Sequence, residues 1–175
     1  MAGYGDPVTI QVRRARTADV RAIKELVDSH AGPGLMLAKA AVTLYEDVQE
    51  FVVAEQDGRI LGAGALHVLW EDLAEVRTMA VADDVRGAGI GSRLLEALLD
   101  RARELGVRRV VCLTFATGFF AAHGFRPAED VHIEVGLFRE LVQSTDEGVA
   151  EFLDLDRVRP NTLGNTRMLL TLDAA

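Results

Sequence analysis

Residues 74–99, "AEVRTMAVADDVRGAGIGSRLLEALL", constrain this chain more than any other stretch. An apolar, alternating run leads through "DDV" into Arg86-Gly-Ala-Gly-Ile-Gly, and a leucine-rich segment with helical spacing follows directly. Glycines at 87, 89 and 91 strip the Cβ atoms from one turn, which lets its backbone approach a ligand closely. A helix opening at residue 89 would aim its first unpaired N–H groups out of that turn, toward an anion. The strand–turn–helix order is that of a phosphate-binding device. The lysine and hydroxyl of a P-loop are missing after the last glycine, and the spacing G-x-G-x-G is not that of the dinucleotide fingerprint.

Elsewhere the chain alternates short strands and helices. "VTIQVRRA" reads as a strand over about 8–15, and Thr17 or Asp19 as the cap of a helix carrying Val20, Ile23, Leu26 and Val27. An amphipathic helix is expected over 35–49. Two strands then turn at Asp57-Gly58, a strong hairpin signal. After a fourth strand and the long helix from Gly89 to about Glu104 come the buried strand "RRVVCLTF", a short helix ended by Gly124 and an extended return. Two helical pieces over 134–158 and a final strand "TRMLLTL" close the pattern. With 175 residues and no interdomain linker, one mixed-sheet α/β domain over 1–175 is expected. A single cysteine, Cys112, excludes a disulfide framework and fits a cytoplasmic protein. No apolar run reaches spanning length, so no membrane partner is expected. A net charge of −8 argues against nucleic acid, which would demand a basic surface.

Arg86-x-x-Gly89-x-Gly91, with its flanking strand and helix, resembles the pyrophosphate-binding signature of the GNAT acetyltransferase superfamily. The resemblance implies a mainly antiparallel twisted sheet with flanking helices, and a splayed parallel strand pair that holds the cofactor. The implied ligand is acetyl-CoA, a co-substrate, with no metal. Its pyrophosphate falls to Arg86, Gly87, Ala88, Gly89, Ile90, Gly91 and Ser92, and its pantetheine arm to the backbone of Met79, Ala80 and Val81. A β-bulge in this strand is implied as well. Many members carry a tyrosine four residues before the glycine of "FFAAHGF", as acid for the leaving thiolate. Phe120 stands there instead, a pantetheine-packing or core aromatic that donates no proton.

Together with "VVCLTF" and "NTLGNTRMLL", that phenylalanine makes the chain similar to the acetyltransferase module of bacterial N-acetylglutamate synthases, above all their short single-domain form. The implied reaction acetylates the α-amino group of L-glutamate, with L-glutamine an alternative acceptor, at the start of arginine biosynthesis. Expected partners are these small molecules and a second copy of the chain in a homodimer. Two rivals stay open: a GNAT enzyme acting on a protein N-terminus, polyamine or drug amine, and a non-catalytic acyl-CoA sensor.

The chemistry needs few groups. Only a neutral amine attacks a carbonyl, so a base must take a proton from the ammonium. The resemblance puts that base at Glu75, with Glu71 and Asp72 as nearby rivals. It puts the oxyanion donor at the Thr78 N–H. For the acceptor's carboxylates the resemblance points to Lys39, read as lying on the 35–49 helix, and to Arg167, with Asn161 and Asn165 upstream. Arg77, next to the base, could orient either it or the substrate. Cys112 reads as a buried small hydrophobe, and Trp70 and Tyr45 read as core aromatics, with a wall of the acceptor pocket as their alternative role. "STDEGVAEFLDLD" reads as a solvated helical face.

Overall fold

The computed structural model describes residues 9–128, 133–153 and 164–173. Seven strands hydrogen-bond in the order β1-β2-β3-β4-β5-β7-β6. They are β1 (Gln11–Arg14), β2 (Phe51–Gln56), β3 (Arg59–Trp70), β4 (Leu73–Val81), β5 (Arg109–Thr114), β6 (Arg126–Pro127) and β7 (Thr166–Thr171). The pairs β1–β2, β2–β3, β5–β7 and β6–β7 are antiparallel, and β4 pairs with β5 in parallel. The helices are α1 (Val20–Ala31), α2 (Ala41–Glu46), α3 (Ile90–Glu104), α4 (Thr117–Ala122), α5 (Val135–Leu141) and α6 (Glu147–Phe152). The expected mixed, mainly antiparallel sheet with flanking helices is what the backbone forms. By internal contacts the chain divides into two compact units, Met1–Leu66 with Thr78–Asp100, and His67–Arg77 with Arg101–Ala175.

In the first unit, Val20, Ile23 and Val27 of α1 bury against Phe51 and Val53 of β2 and Ala63 and Ala65 of β3. The β2–β3 hairpin turns at Asp57 and Gly58, both at positive φ (51° and 79°), as a two-residue primed turn requires. Helix α3 seats over β3 where side chains are missing. A Cβ at Gly62 would stand 3.0 Å from Leu94 and 3.2 Å from Ile90, and one at Gly64 would stand 3.1 Å from Leu98. Those two glycines let the leucine stripe pack closely on the sheet.

In the second unit, Leu69 of β3, Leu73 of β4 and Val111 of β5 form one cluster with Leu137 and Leu141 of α5 and Val149 and Phe152 of α6. The segment read as a solvated face is therefore partly core: Val149, Ala150 and Phe152 are buried. A helical stripe at 149, 152 and 153 was hidden by the acidic residues between its members.

Two further expectations are corrected. Helix 35–49 shrinks to α2 plus a 3-10 turn at Val48–Glu50, because Leu44 alone of α2 is buried while Val42 and Tyr45 face solvent. No continuous apolar stripe exists there to anchor more turns. Asp19 takes the N-cap position of α1, but its side chain makes no cap bond to that helix. Its carboxylate accepts from the Arg16 N–H at 2.7 Å and from the Arg13 guanidinium at 2.7 Å, a pairing that holds it below the usual carboxylate range.

Candidate functional site

The glycine turn belongs to the first unit. After β4 a 3-10 turn at Asp83–Val85 leads to Arg86, and α3 begins at Ile90. Gly87 and Gly89 hold φ of 85° and 76°, a region that costs other residues strain. A Cβ built on either would meet nothing within 4 Å. Glycine is thus required by the backbone turn and not by protein packing, and the space beside the helix start stays open. The first N–H groups of α3, from Gly89 to Ser92, have no partner within the helix. This arrangement suits an anionic group. Ile90 contributes only backbone, since its side chain is buried in the core. Arg86 is exposed and already engaged, 2.7 Å from Asp83 and 3.2 Å from the His30 Nε2. Thr78, in mid-strand, has φ of 57°, a left-handed kink in β4 just ahead of Met79, Ala80 and Val81. A non-glycine residue there marks a local break in regular strand geometry.

The second unit holds a buried charged cluster. Glu75 lies on β4, opposite Val111 of β5, and is 4% exposed. Its Oε2 is buried and has no hydrogen-bond partner. Burial lifts the carboxyl to a pKa of about 7, against the opposing pull of Arg77 and His67, with Asp146 and Glu151 adding to the rise. Arg77, two residues on and also buried, donates from Nη1 to Asp146 Oδ1 at 2.8 Å. That same oxygen caps α6 by accepting the Val149 N–H at 2.8 Å. Burial works against the Asp146 charge, but the Arg77 contact and the cap overcome it and hold the carboxyl at about 2. A Cβ on Gly148 would stand 2.7 Å from Arg77 Nη1 and 3.7 Å from Glu75 Oε2, so the first turn of α6 lies directly over both groups.

The rivals of Glu75 are otherwise occupied. Asp72 receives Arg109 Nε at 2.9 Å, and Glu71 is exposed in the β3–β4 turn. Arg167 on β7 stacks over the Phe152 ring at 5.1 Å and donates from Nη2 to the Phe152 carbonyl at 2.6 Å. Its buried Nε has no partner. Asn165 lies beside it and bonds the Glu151 carboxyl. Asn161 falls outside the described residues. Lys39 is half-buried in an extended segment before α2, not on a helix. Phe120 is buried, edge-on to Phe119 and Phe125. Trp70 and Tyr45 are exposed rather than core. Cys112 is buried, its thiol pushed up by burial and by Glu75.

Asp146, Gly148 and His67 complete the second cluster and were not singled out from sequence. An aspartate capping a short apolar-bearing helix was the one legible signal for Asp146. His67 shares a strand face with Leu69, and only the tertiary packing brings it toward Glu75.

Residues 21–125 match the model of the Acetyltransferase (GNAT) family. The chain belongs to that family. This acetyltransferase is 56% identical over 164 residues to an amino-acid acetyltransferase of Mycobacterium tuberculosis, covering 92% of the chain and 94% of the relative. A Mycobacterium tuberculosis crystal structure in complex with CoA and NLQ superposes with a TM-score of 0.89 at 55% identity, covering 93% of this chain and 99% of that one. The acetyltransferase is also 32% identical over 123 residues to an amino-acid acetyltransferase of Neisseria meningitidis, 69% of its own length but only 28% of that longer protein. An N-acetylglutamate synthase from Neisseria gonorrhoeae, solved with coenzyme A and N-acetyl-glutamate, shares the fold at a TM-score of 0.75 and 24% identity.

Proposed function

We propose that this acetyltransferase moves an acetyl group from acetyl-CoA to the α-amino group of L-glutamate or L-glutamine, the opening step of arginine biosynthesis. The observation that carries the reading is Glu75: a carboxyl buried beside a parallel strand pair, with an unpartnered oxygen and a pKa of about 7. A general base works best when its proton affinity lies near the working pH. At neutrality Glu75 is divided between its two forms, and its carboxylate can take one proton from the incoming ammonium.

The family resemblance supplies the other roles. In this reading the Gly87–Ser92 turn and the start of α3 hold the pyrophosphate, with Arg86 adding a charge. The backbone of Met79, Ala80 and Val81 lies along the pantetheine arm. The kink at Thr78 presents a backbone N–H to the developing oxyanion. Arg167, with a buried guanidinium nitrogen in want of a partner, suits an acceptor carboxylate. The resemblance assigns Asn161, Asn165 and Lys39 to the acceptor as well. Arg77 is committed to Asp146, so it serves the base more directly than the substrate. Phe120 offers no proton, and the thiolate leaves without a dedicated acid. The homology to amino-acid acetyltransferases supports the acceptor class.

Thiol release from acetyl-CoA, followed across glutamate, glutamine, spermidine and an alanine-initiated peptide, tests this directly. Glutamate or glutamine should react fastest. Fastest reaction with the polyamine or the peptide overturns the acceptor assignment. Binding of acetyl-CoA without thiol release from any amine would make the protein a sensor.

A further inference from the structure

Among the described residues, five titratable or charged side chains act electrostatically on or with Glu75: Arg77 on its own strand, His67 on β3, Cys112 on β5, Asp146 at the start of α6 and Glu151 within α6. Arg77 lies two residues along the strand and its charge acts on Glu75, and its Nη1 and the Glu75 Oε2 both lie within 4 Å of one point beside Gly148, so a pairing of guanidinium with carboxylate is within reach. Such a pair would cost the enzyme its base, because a carboxylate bonded to a guanidinium holds a proton poorly. The structure shows what intervenes. Asp146 Oδ1 accepts from Arg77 Nη1 at 2.8 Å while also capping α6 through the Val149 N–H. Gly148, one residue into the same helix, leaves the room in which that guanidinium lies; a methyl group there would stand 2.7 Å from Nη1.

We propose that Asp146 is a positioning residue, which holds the Arg77 guanidinium at the start of α6 and so keeps it from closing on the Glu75 carboxylate. The inference rests on Glu75 being the base, and deepens that reading by naming the residue that preserves its basicity. Asp146 acts in two ways with the same sign. Its own negative charge opposes ionisation of Glu75, and its bond to Arg77 blunts the charge that would favour ionisation. Removing the Asp146 charge therefore makes Glu75 a stronger acid.

The test is Asp146→Asn, whose amide oxygen can still cap Val149. The Glu75 side-chain carboxyl is titrated by ¹³C NMR in the full chain, its resonance assigned by its loss in Glu75→Gln. In Asp146→Asn its midpoint should fall by about 1–3 pH units, the range for a carboxyl gaining a close cation. Turnover with saturating substrates should fall alongside it. Arg77→Gln should move the midpoint the other way, and Asp146→Asn combined with Arg77→Gln should bring it back up from the Asp146→Asn value. A merely structural Asp146 would lower the melting temperature and leave the midpoint in place. An unmoved midpoint in Asp146→Asn, or no recovery in the double variant, overturns the proposal. Should Asp146→Asn fold poorly, Asp146→Ser removes the same charge while its hydroxyl can still cap α6, and it must shift the midpoint downward; no shift there is equally fatal. Near-normal turnover in Glu75→Gln would instead overturn the base assignment, so the two failures are distinguishable.

Discussion

The glycine turn and the Glu75 cluster are built on opposite principles. Residues 86–92 are local in sequence, and Arg86 through Gly89 are exposed. Gly87 and Gly89 work through backbone shape and the open end of a fifteen-residue helix. The Glu75 cluster draws on β4, on Asp146 nearly seventy residues later and on α6, and works through buried side-chain charge. An exposed backbone site tolerates water and loses little when one side chain is removed. A buried carboxyl owes its chemistry to the exclusion of water, so every neighbour changes it.

The largest expected effect tests that division at the base. Glu75→Gln should lower turnover by roughly 10²- to 10⁴-fold, the scale of general-base catalysis. Acetyl-CoA affinity, measured by calorimetry, should stay near that of the unaltered enzyme. Partial recovery toward high pH is expected, because more acceptor is already neutral there. Near-normal turnover at neutrality would leave Glu75 as a structural carboxyl.

The same substitution should sharpen the contrast through stability. The folded-state pKa of Glu75, about 7, lies above its ordinary 4.5. Its contribution is thus fully present below about pH 4.5 and lost as pH rises through about 7, a change on the order of 3 kcal/mol. Glu75→Gln avoids that loss. It should melt several degrees above the parent at pH 8, with the gap closing toward pH 5. A constant gap across that window would contradict the burial argument.

The glycine turn should respond in a different quantity. Gly89→Val forces a β-branched residue to φ near 76°, at a strain of about 1–3 kcal/mol, and places a side chain where an anion would approach. The acetyl-CoA KM should rise steeply while the rate at saturation changes little. Unchanged cofactor affinity would sink the assignment of this turn. Arg86→Ala should give the smallest effect, about 1 kcal/mol of cofactor binding, because the side chain is exposed and shared with Asp83. Measuring that loss at low and high salt checks it, since screening should shrink it.

Residues 74–99 show why one region was legible and the other was not. Leucine spacing, the strand before it and three glycines announced the turn and the helix, all within a few residues of one another. The β2–β3 hairpin was equally plain, because Asp57-Gly58 encodes its own turn geometry. Local patterns failed where burial decided. The 35–49 segment carries enough apolar residues for a helix, yet α2 keeps only six residues because the core receives little more than Leu44. The acidic run around Asp146 looked solvated, and its buried face emerged only against β4 and α5.

By itself, then, the sequence determined the glycine turn and the helix after it, which depend on short-range pattern, while the resemblance to the GNAT family supplied the fold and Glu75 as a candidate base. Only the tertiary structure decided that Glu75 is dry, that Asp146 takes Arg77, and that Gly148 makes room for that pair. Proton affinity depends on the dielectric and on charges within a few ångströms, whichever part of the chain supplies them. Those neighbours come from strands and helices far apart in sequence, and folding alone brings them together.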